Sequence, residues 1–311
     1  MEPKHGRDDP DGDAAPSAAG VTVVLAPYHA GRRECRVGRG PGHLMRAGLA
    51  EALRARGARV EIVEIPPVEE HEGEIGRSFA VKRHVAAVVS AARAARRFPL
   101  VLAGNCNASV GVHAGLGDPG TGVVWFDAHP DFDTPDEHLS GYFDGMGVAT
   151  LAGQCWRRLA ATIPGFRPLD PRRLVYCGIR DFEPGQREKV EAHGIRAVLG
   201  ATPTSTLAAG QRPDFAGGLR AALHGTDRAR LHIHLDLDCL DTAVGQANAY
   251  AAPGGLGTED LMACLGVVRG HAPVAAMTIA SFEPGLPGSD AIAAAAIGAA
   301  LAIVPAAVRA S

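Results

Sequence analysis

Aromatic residues are scarce in this chain: 2 Trp, 4 Tyr and 9 Phe make up 5 % of its 311 residues. Core bulk must come from small and β-branched side chains instead, which suits helices packed closely on a parallel sheet. An excess of one charge is also lacking, because 31 basic and 34 acidic residues leave a formal net charge of −3 and a pI near 6.5. That balance offers no electrostatic footprint for nucleic acid or an anionic membrane surface. No apolar run reaches the length of a membrane span. The stretch from Ala291 to Val308 is interrupted by Gly298 and Pro305 and ends at Arg309, so it is expected as a buried final helix. The six cysteines (35, 106, 155, 177, 239 and 264) show no CxxC spacing, and the polar opening segment has no apolar signal-peptide core. Residues 1–20 are therefore expected as a disordered tail, and the thiols as reduced cysteines of a soluble, cytoplasmic protein.

What the chain does have is alternation. Apolar, β-branched runs at 21–27, 59–65, 99–104, 122–129, 173–181, 230–238 and 275–282 predict strands. Helical periodicity at 43–57, ending on Gly57, and at 79–97 predicts helices between them, with a further helix closing the chain. With 46 % hydrophobic residues and no mid-chain linker or repeat, residues 21–311 read as one α/β domain with a mostly parallel sheet covered on both faces. Open sheets of this kind place their sites at the carboxyl ends of the strands. Four predicted strand ends are polar: Asn105-Cys106-Asn107, the run from Asp127 to Asp133, Arg180-Asp181, and Asp236-Leu237-Asp238.

WFDAHPDFD is the most informative segment. Asp127, His129, Asp131 and Asp133 recur at every second position, so an extended chain turns them to one side. Three carboxylates and an imidazole gathered there repel one another unless a cation sits among them. Asp236 and Asp238 repeat the pattern after LHIHL. Oxygen-rich donors with one or two imidazoles suit Mn²⁺ better than structural Zn²⁺.

These segments carry a family resemblance. DAHPDFDTP with SGYFDGM, HLDLDCLD with PGGL, and GIRDFEPG at 178–185 resemble the signature set of the ureohydrolases (arginase, agmatinase, formiminoglutamase). AGNCNAS at 103–109 stands where the family has Gly-Gly-Asp-His. The resemblance runs from about residue 21 onward, with the motifs in family order. It implies a three-layer α/β/α fold with an eight-stranded parallel sheet and two divalent ions, Mn²⁺ first among them. Asp127 and Asp236 would bridge the ions, Cys106 and Asp131 would complete one site, and His129 and Asp238 the other. The activity implied is hydrolysis of linear amidine or guanidine C–N bonds in a small molecule by a metal-bridging hydroxide, with Asp131 passing a proton to the leaving nitrogen. Asp133, His138, Ser140 and Glu183 fall on substrate-side positions. Family members are often trimers or hexamers, so a homo-oligomer is compatible.

Three positions depart from the family pattern. Cys106 replaces a His ligand, and its thiolate shifts preference toward Zn²⁺, Fe²⁺ or Co²⁺. Asp144 replaces the His held to carry protons, a role a carboxyl group fills only with a raised pKa. Ser281 replaces the Glu that pairs with guanidinium, leaving Glu283, two residues on, as the nearest carboxylate. The first two departures resemble the branch acting on Nω-hydroxy-L-arginine. Two other readings stay open: an arginase-fold metal-binding protein that has lost catalysis, and a mononuclear zinc amide hydrolase. His43 reads as structural, His234 as a core histidine or a neighbour of the metals, and Arg32, Arg33, Arg36 and Arg39 as a solvated basic loop.

Overall fold

The structure, a computed structural model, describes residues 20–69, 73–202, 212–226 and 228–305; of the tail expected at 1–20, residues 1–19 lie outside them and Gly20 is the first residue of a strand. Eight strands form one sheet: β1 (Gly20–Ala26), β2 (Arg59–Glu64), β3 (Arg97–Ala103), β4 (Thr121–Phe126), β5 (Leu174–Ile179), β6 (Arg196–Leu199), β7 (Arg230–Asp236) and β8 (Val274–Ala280). Their order is β2-β1-β3-β8-β7-β4-β5-β6. Every neighbouring pair is parallel. Each of the seven apolar runs contains a strand. The eighth, β6, is four residues long, lies at the sheet edge and exposes Arg196 and Ala197, so it shows no periodicity to read.

Strand alternation sends side chains into two separate cores. Val21, Val23, Leu100, Leu102, Phe126, Ile233 and Leu235 face the helices Leu49–Ala55, Phe215–Leu223, Thr258–His271 and Ser289–Ile303. Val24, Val101, Val123, Trp125 and Tyr176 face Glu74–Ala94, Ser109–Leu116 and Gly147–Leu151. The result is a three-layer α/β/α sandwich. The predicted closing helix is present as Ser289–Ile303, and no helix among the described residues is long and apolar enough to cross a membrane.

Two departures from the sequence reading have local causes. The expected helix 43–57 is two helices, Gly40–Arg46 and Leu49–Ala55, separated at Gly48, whose φ of +94° breaks the helical path. The strand expected to reach 129 ends at Phe126, and the chain turns sharply at Asp131, where φ is +47°. Alternation therefore does not align Asp127 through Asp133; the turn leaves Asp127 and His129 in one donor cluster and Asp133 in another. On the site's side of the sheet, helix Glu74–Ala94 lies against Ser109–Leu116 at backbone contact, since a Cβ at Gly111 would collide with the Lys82 carbonyl and one at Gly115 with that of Ala86. This contact fixes the helix that follows Cys106.

Candidate metal centre

The four strands at the middle of the sheet, β3, β8, β7 and β4, are neighbours, and their carboxyl ends supply Cys106, Ser281, Asp236 and Asp127 in that order. The adjoining β5 delivers Arg180, Asp181 and Glu183. Side-chain carboxylates also build the turns. Asp127 Oδ1 accepts from His129 N at 2.7 Å, and Asp236 Oδ1 accepts from Asp238 N at 2.8 Å. Both are Asx-type turns, in which the aspartate bonds the backbone two residues ahead and so exposes the next acidic or imidazole group.

Three clusters of possible donors form among the described residues: two share Asp127, and the third is Asp133, His138 and Glu183. The inner group is Cys106, Asp127, His234 and Asp236, all buried, with ligand atoms within 4.8 Å of one another. The Cys106 thiol donates to Asp236 Oδ2 at 2.7 Å and lies 3.1 Å from Ser281 Oγ. Trp125 Nε1 donates to Asp127 Oδ2 at 2.8 Å, while its ring stacks on His234 with centroids 3.6 Å apart. His234 Nδ1 meets Ser109 Oγ at 2.7 Å, and its buried Nε2 has no hydrogen-bond partner. The outer group is Asp127, His129 and Asp238. His129 Nδ1 stands 3.5 Å from Asp127 Oδ1 and 3.4 Å from Asp238 Oδ2. Its Nε2 reaches out to Asp181 at 3.6 Å. Asn248 Nδ2 donates to Asp238 Oδ2 at 2.9 Å and to the Ser281 carbonyl, tying β7 to β8.

This crowding has an electrostatic signature. Burial, then the charge of Asp238, pushes Asp127 up to about 7. Burial, with Asp238 and Asp127, carries Asp236 well above the carboxylate range. Burial and Asp236 push up the Cys106 thiol. So many anions taken from water are tolerable only as protonated acids or around cations. The donor set fits a pair of divalent ions: thiolate, imidazole and carboxylates within a few ångströms, two aspartate groups meeting at Asp127, and an orphaned imidazole nitrogen.

Asp131 stands apart from both groups, although it lines the same cavity of about 260 Å³. Val148 N and Ala149 N hold its carbonyl, and the left-handed backbone there stores strain of about 1–3 kcal/mol. Ser281, φ +62°, and Arg36, φ +46°, are the other non-glycine residues of the cavity lining with positive φ; Ser281 N donates to the Gly104 carbonyl. Burial, then Asp127 and Asp144, raises Asp131 well above its ordinary range. Asp144 lines the cavity too, and burial raises its carboxyl above the ordinary range while three hydrogen bonds oppose that rise. Its oxygens accept from Asn107 N at 2.9 Å, Cys106 N at 3.2 Å and Asn105 Nδ2 at 2.5 Å.

On the substrate side, His138, Ser140 and Glu183 line the cavity. Asp133 is buried behind them, accepting from Gln186 Nε2 at 2.7 Å and standing 4.0 Å from His138 Nε2. Glu283 also reaches the cavity wall, but Arg36 at 3.6 Å and Arg39 at 3.4 Å engage its carboxylate. The basic loop read as solvated therefore contributes Arg36 to the site. Sequence reasoning also missed His29, Asn248 and the pair Tyr142–Tyr250, whose ring centroids are 5.5 Å apart at the mouth. Tyr142 stood in a quoted motif; Asn248 and His29 carried no motif signal. Arg180, flagged at a strand end, spends its guanidinium on the carbonyls of Asp238, Leu240 and Ala252, which clamps the β7 turn.

A family model for the arginase family matches residues 19–304. The chain belongs to the arginase family, a family of hydrolases acting on amidino C–N bonds. It is 29 % identical over 256 residues to the hepatic arginase of Aquarana catesbeiana, covering 76 % of each chain. An arginase of Eremothecium gossypii is 30 % identical over 197 residues, which is 57 % of this chain but 48 % of that protein, so this match spans about half the relative's length. The crystal structure of an arginase from Bacillus subtilis superposes with a TM-score of 0.77 at 22 % identity, covering 91 % of this chain and 98 % of that one. The three-layer fold is thus the arginase fold.

Proposed function

We propose that this protein is a binuclear metal-dependent hydrolase of a small linear guanidine or amidine, working in the cytoplasm, with a hydroxyguanidine such as Nω-hydroxy-L-arginine as its substrate class. One observation carries the metal reading: carboxylates, a thiol and imidazoles from the ends of β3, β4 and β7 form two donor groups joined at Asp127. Cys106, Asp127 and Asp236 would hold the inner ion, and Asp127, His129 and Asp238 the outer one. When bound, such ions polarise the substrate and lower the pKa of water toward neutrality. Mn²⁺ suits the oxygen-rich outer group, while Cys106 favours Zn²⁺, Fe²⁺ or Co²⁺ at the inner one.

The protein's own groups handle protons and orientation. Asp131, protonatable because of its buried anionic surroundings, is placed to take a proton from the attacking water and return it to the leaving nitrogen. His138, Ser140 and Glu183, with Asp133 behind them, hold the far end of the substrate. Ser281 brings no charge, and Glu283 is already neutralised by Arg36 and Arg39. No free carboxylate of β8 meets a guanidinium here, which disfavours arginine itself. An N-hydroxyl group lowers the basicity of a guanidine, so a neutral substrate needs no such partner. Water adds to the central carbon, the C–N bond to the side-chain amine breaks as that nitrogen takes the proton from Asp131, and hydroxyurea and the neutral amine leave, the amine taking up a further proton from solvent after release.

The test is metal content together with a product screen. About two equivalents of metal retained after dialysis, with hydroxyurea or urea released from hydroxyguanidines or guanidines, are expected. One tightly held Zn²⁺ with amine release from acyl-amines would replace this reading by a mononuclear amide hydrolase. No retained metal and no turnover would replace it by a fold that has lost catalysis.

A further inference from the structure

Every oxygen of Asp144 that accepts a hydrogen bond does so from one short turn. The donors are Asn105 Nδ2, Cys106 N and Asn107 N, and that turn carries the thiol into the helix Ser109–Leu116. An anion accepting consecutive backbone N–H groups just ahead of a helix complements the dipole as well as the orphan donors there. The cation nearest in character is Lys82, on the helix that presses against Ser109–Leu116. Its side chain is fully buried, with Nζ 4.6 Å from the ring centres of both Phe79 and Phe143 and a long hydrogen bond of 3.5 Å to the Ser78 carbonyl. Phe143 is the residue preceding Asp144, so the ammonium over its ring lies beside the chain that carries the carboxylate, and the two buried charges act on each other. Burial lowers Lys82 to about 7, and the Asp144 charge opposes that fall.

We infer that Asp144 and Lys82 form a buried positioning pair for Cys106: the carboxylate clamps the Asn105–Asn107 turn so that the sulfur faces Asp236, and the lysine supplies the countercharge that lets the carboxylate stay buried. This rests on the reading of Cys106 as a ligand of the inner ion. An Asn at 144 would keep one acceptor but point an amide N–H at backbone N–H groups, so the turn would have to shift. Asp144 is then a positioning residue, acting through the backbone of the Cys106 turn.

The test uses the full-length protein loaded with Co²⁺ alone, because a thiolate bound to cobalt gives a charge-transfer band in the near ultraviolet. In Asp144→Asn the band is expected to weaken and the dissociation constant for cobalt to rise by about 10–100-fold. Lys82→Met is expected to move both in the same direction by a smaller factor, and thermal melts of each variant check that it folds. An Asp144→Asn protein that keeps band and affinity, yet loses kcat and one limb of its pH profile, overturns the clamp and makes Asp144 a proton carrier. Unchanged band and affinity in Lys82→Met overturn the lysine's part. A band absent from the unsubstituted protein overturns Cys106 ligation and the clamp together, whereas the two-ion reading is judged separately by metal content.

Discussion

The inner and outer donor groups share Asp127 but occupy different environments. Around the inner group all four side chains are buried, a thiol stands where oxygen or imidazole would be harder, and Trp125 and Ser109 hold Asp127 and His234 from behind. The outer group meets the cavity through His129, whose side chain is 26 % exposed and reaches toward the exposed Asp181. The difference teaches where rigidity and chemistry divide. Both groups open on one cavity, the inner through Cys106 and Asp236 and the outer through His129 and Asp238, so the softer, more buried donors suit holding an ion and the harder, more exposed ones suit water and substrate.

The largest expected effect comes from removing what the two groups share or what binds the inner ion through charge. Asp127→Ala or Asp236→Ala should eliminate bound metal and turnover together, measured by elemental analysis and product release; full activity in either would dissolve the comparison. Single-group changes should split it. His129→Asn should reduce retained metal from about two equivalents to about one, and Cys106→His should keep both ions while moving preference toward Mn²⁺, read from competition between Mn²⁺ and Zn²⁺. Equal losses in these two variants would show one undivided site.

The smallest effect concerns the substrate-side loop. Glu137 accepts from Thr134 and Lys189, and although burial opposes it, those bonds hold its carboxyl down at about 2. A carboxylate depressed on folding adds stability above its ordinary value near 4.5, and that contribution fades as pH falls toward 2. Melts of Glu137→Gln and the unsubstituted protein should therefore differ slightly near pH 6, with the gap shrinking below pH 4.5 and closing only as pH approaches about 2. A gap that stays constant would mean the Glu137 charge does not tether the loop.

Much of the fold was legible because it depends on local pattern. Seven apolar runs predicted seven strands, and DAHPD with DLD marked the rim where acids gather. What escaped was short or non-periodic. β6 has four residues, half of them exposed, and the turn at Asp131 needs a positive φ that aspartate does not announce. His234 could not be placed by sequence, since its alignment with Trp125 depends on the pairing of β4 with β7. Arg36 and Glu283 are 247 positions apart and meet only because the loop after β1 and the end of β8 share one rim.

The sequence by itself determined the residue chemistry: which donors exist, that Cys, Asp and Ser replace a His ligand, a His and a Glu of the family, and that strands would carry them. Tertiary structure decided the partnerships. It tied the Asp144 carboxylate, at the cavity wall, to the backbone of the Cys106 turn, neutralised Glu283 with two arginines, and divided the metal-binding acids into two groups. The physical reason is that strand order and side-chain direction beyond a strand end are set by packing across the sheet, which a one-dimensional pattern does not encode.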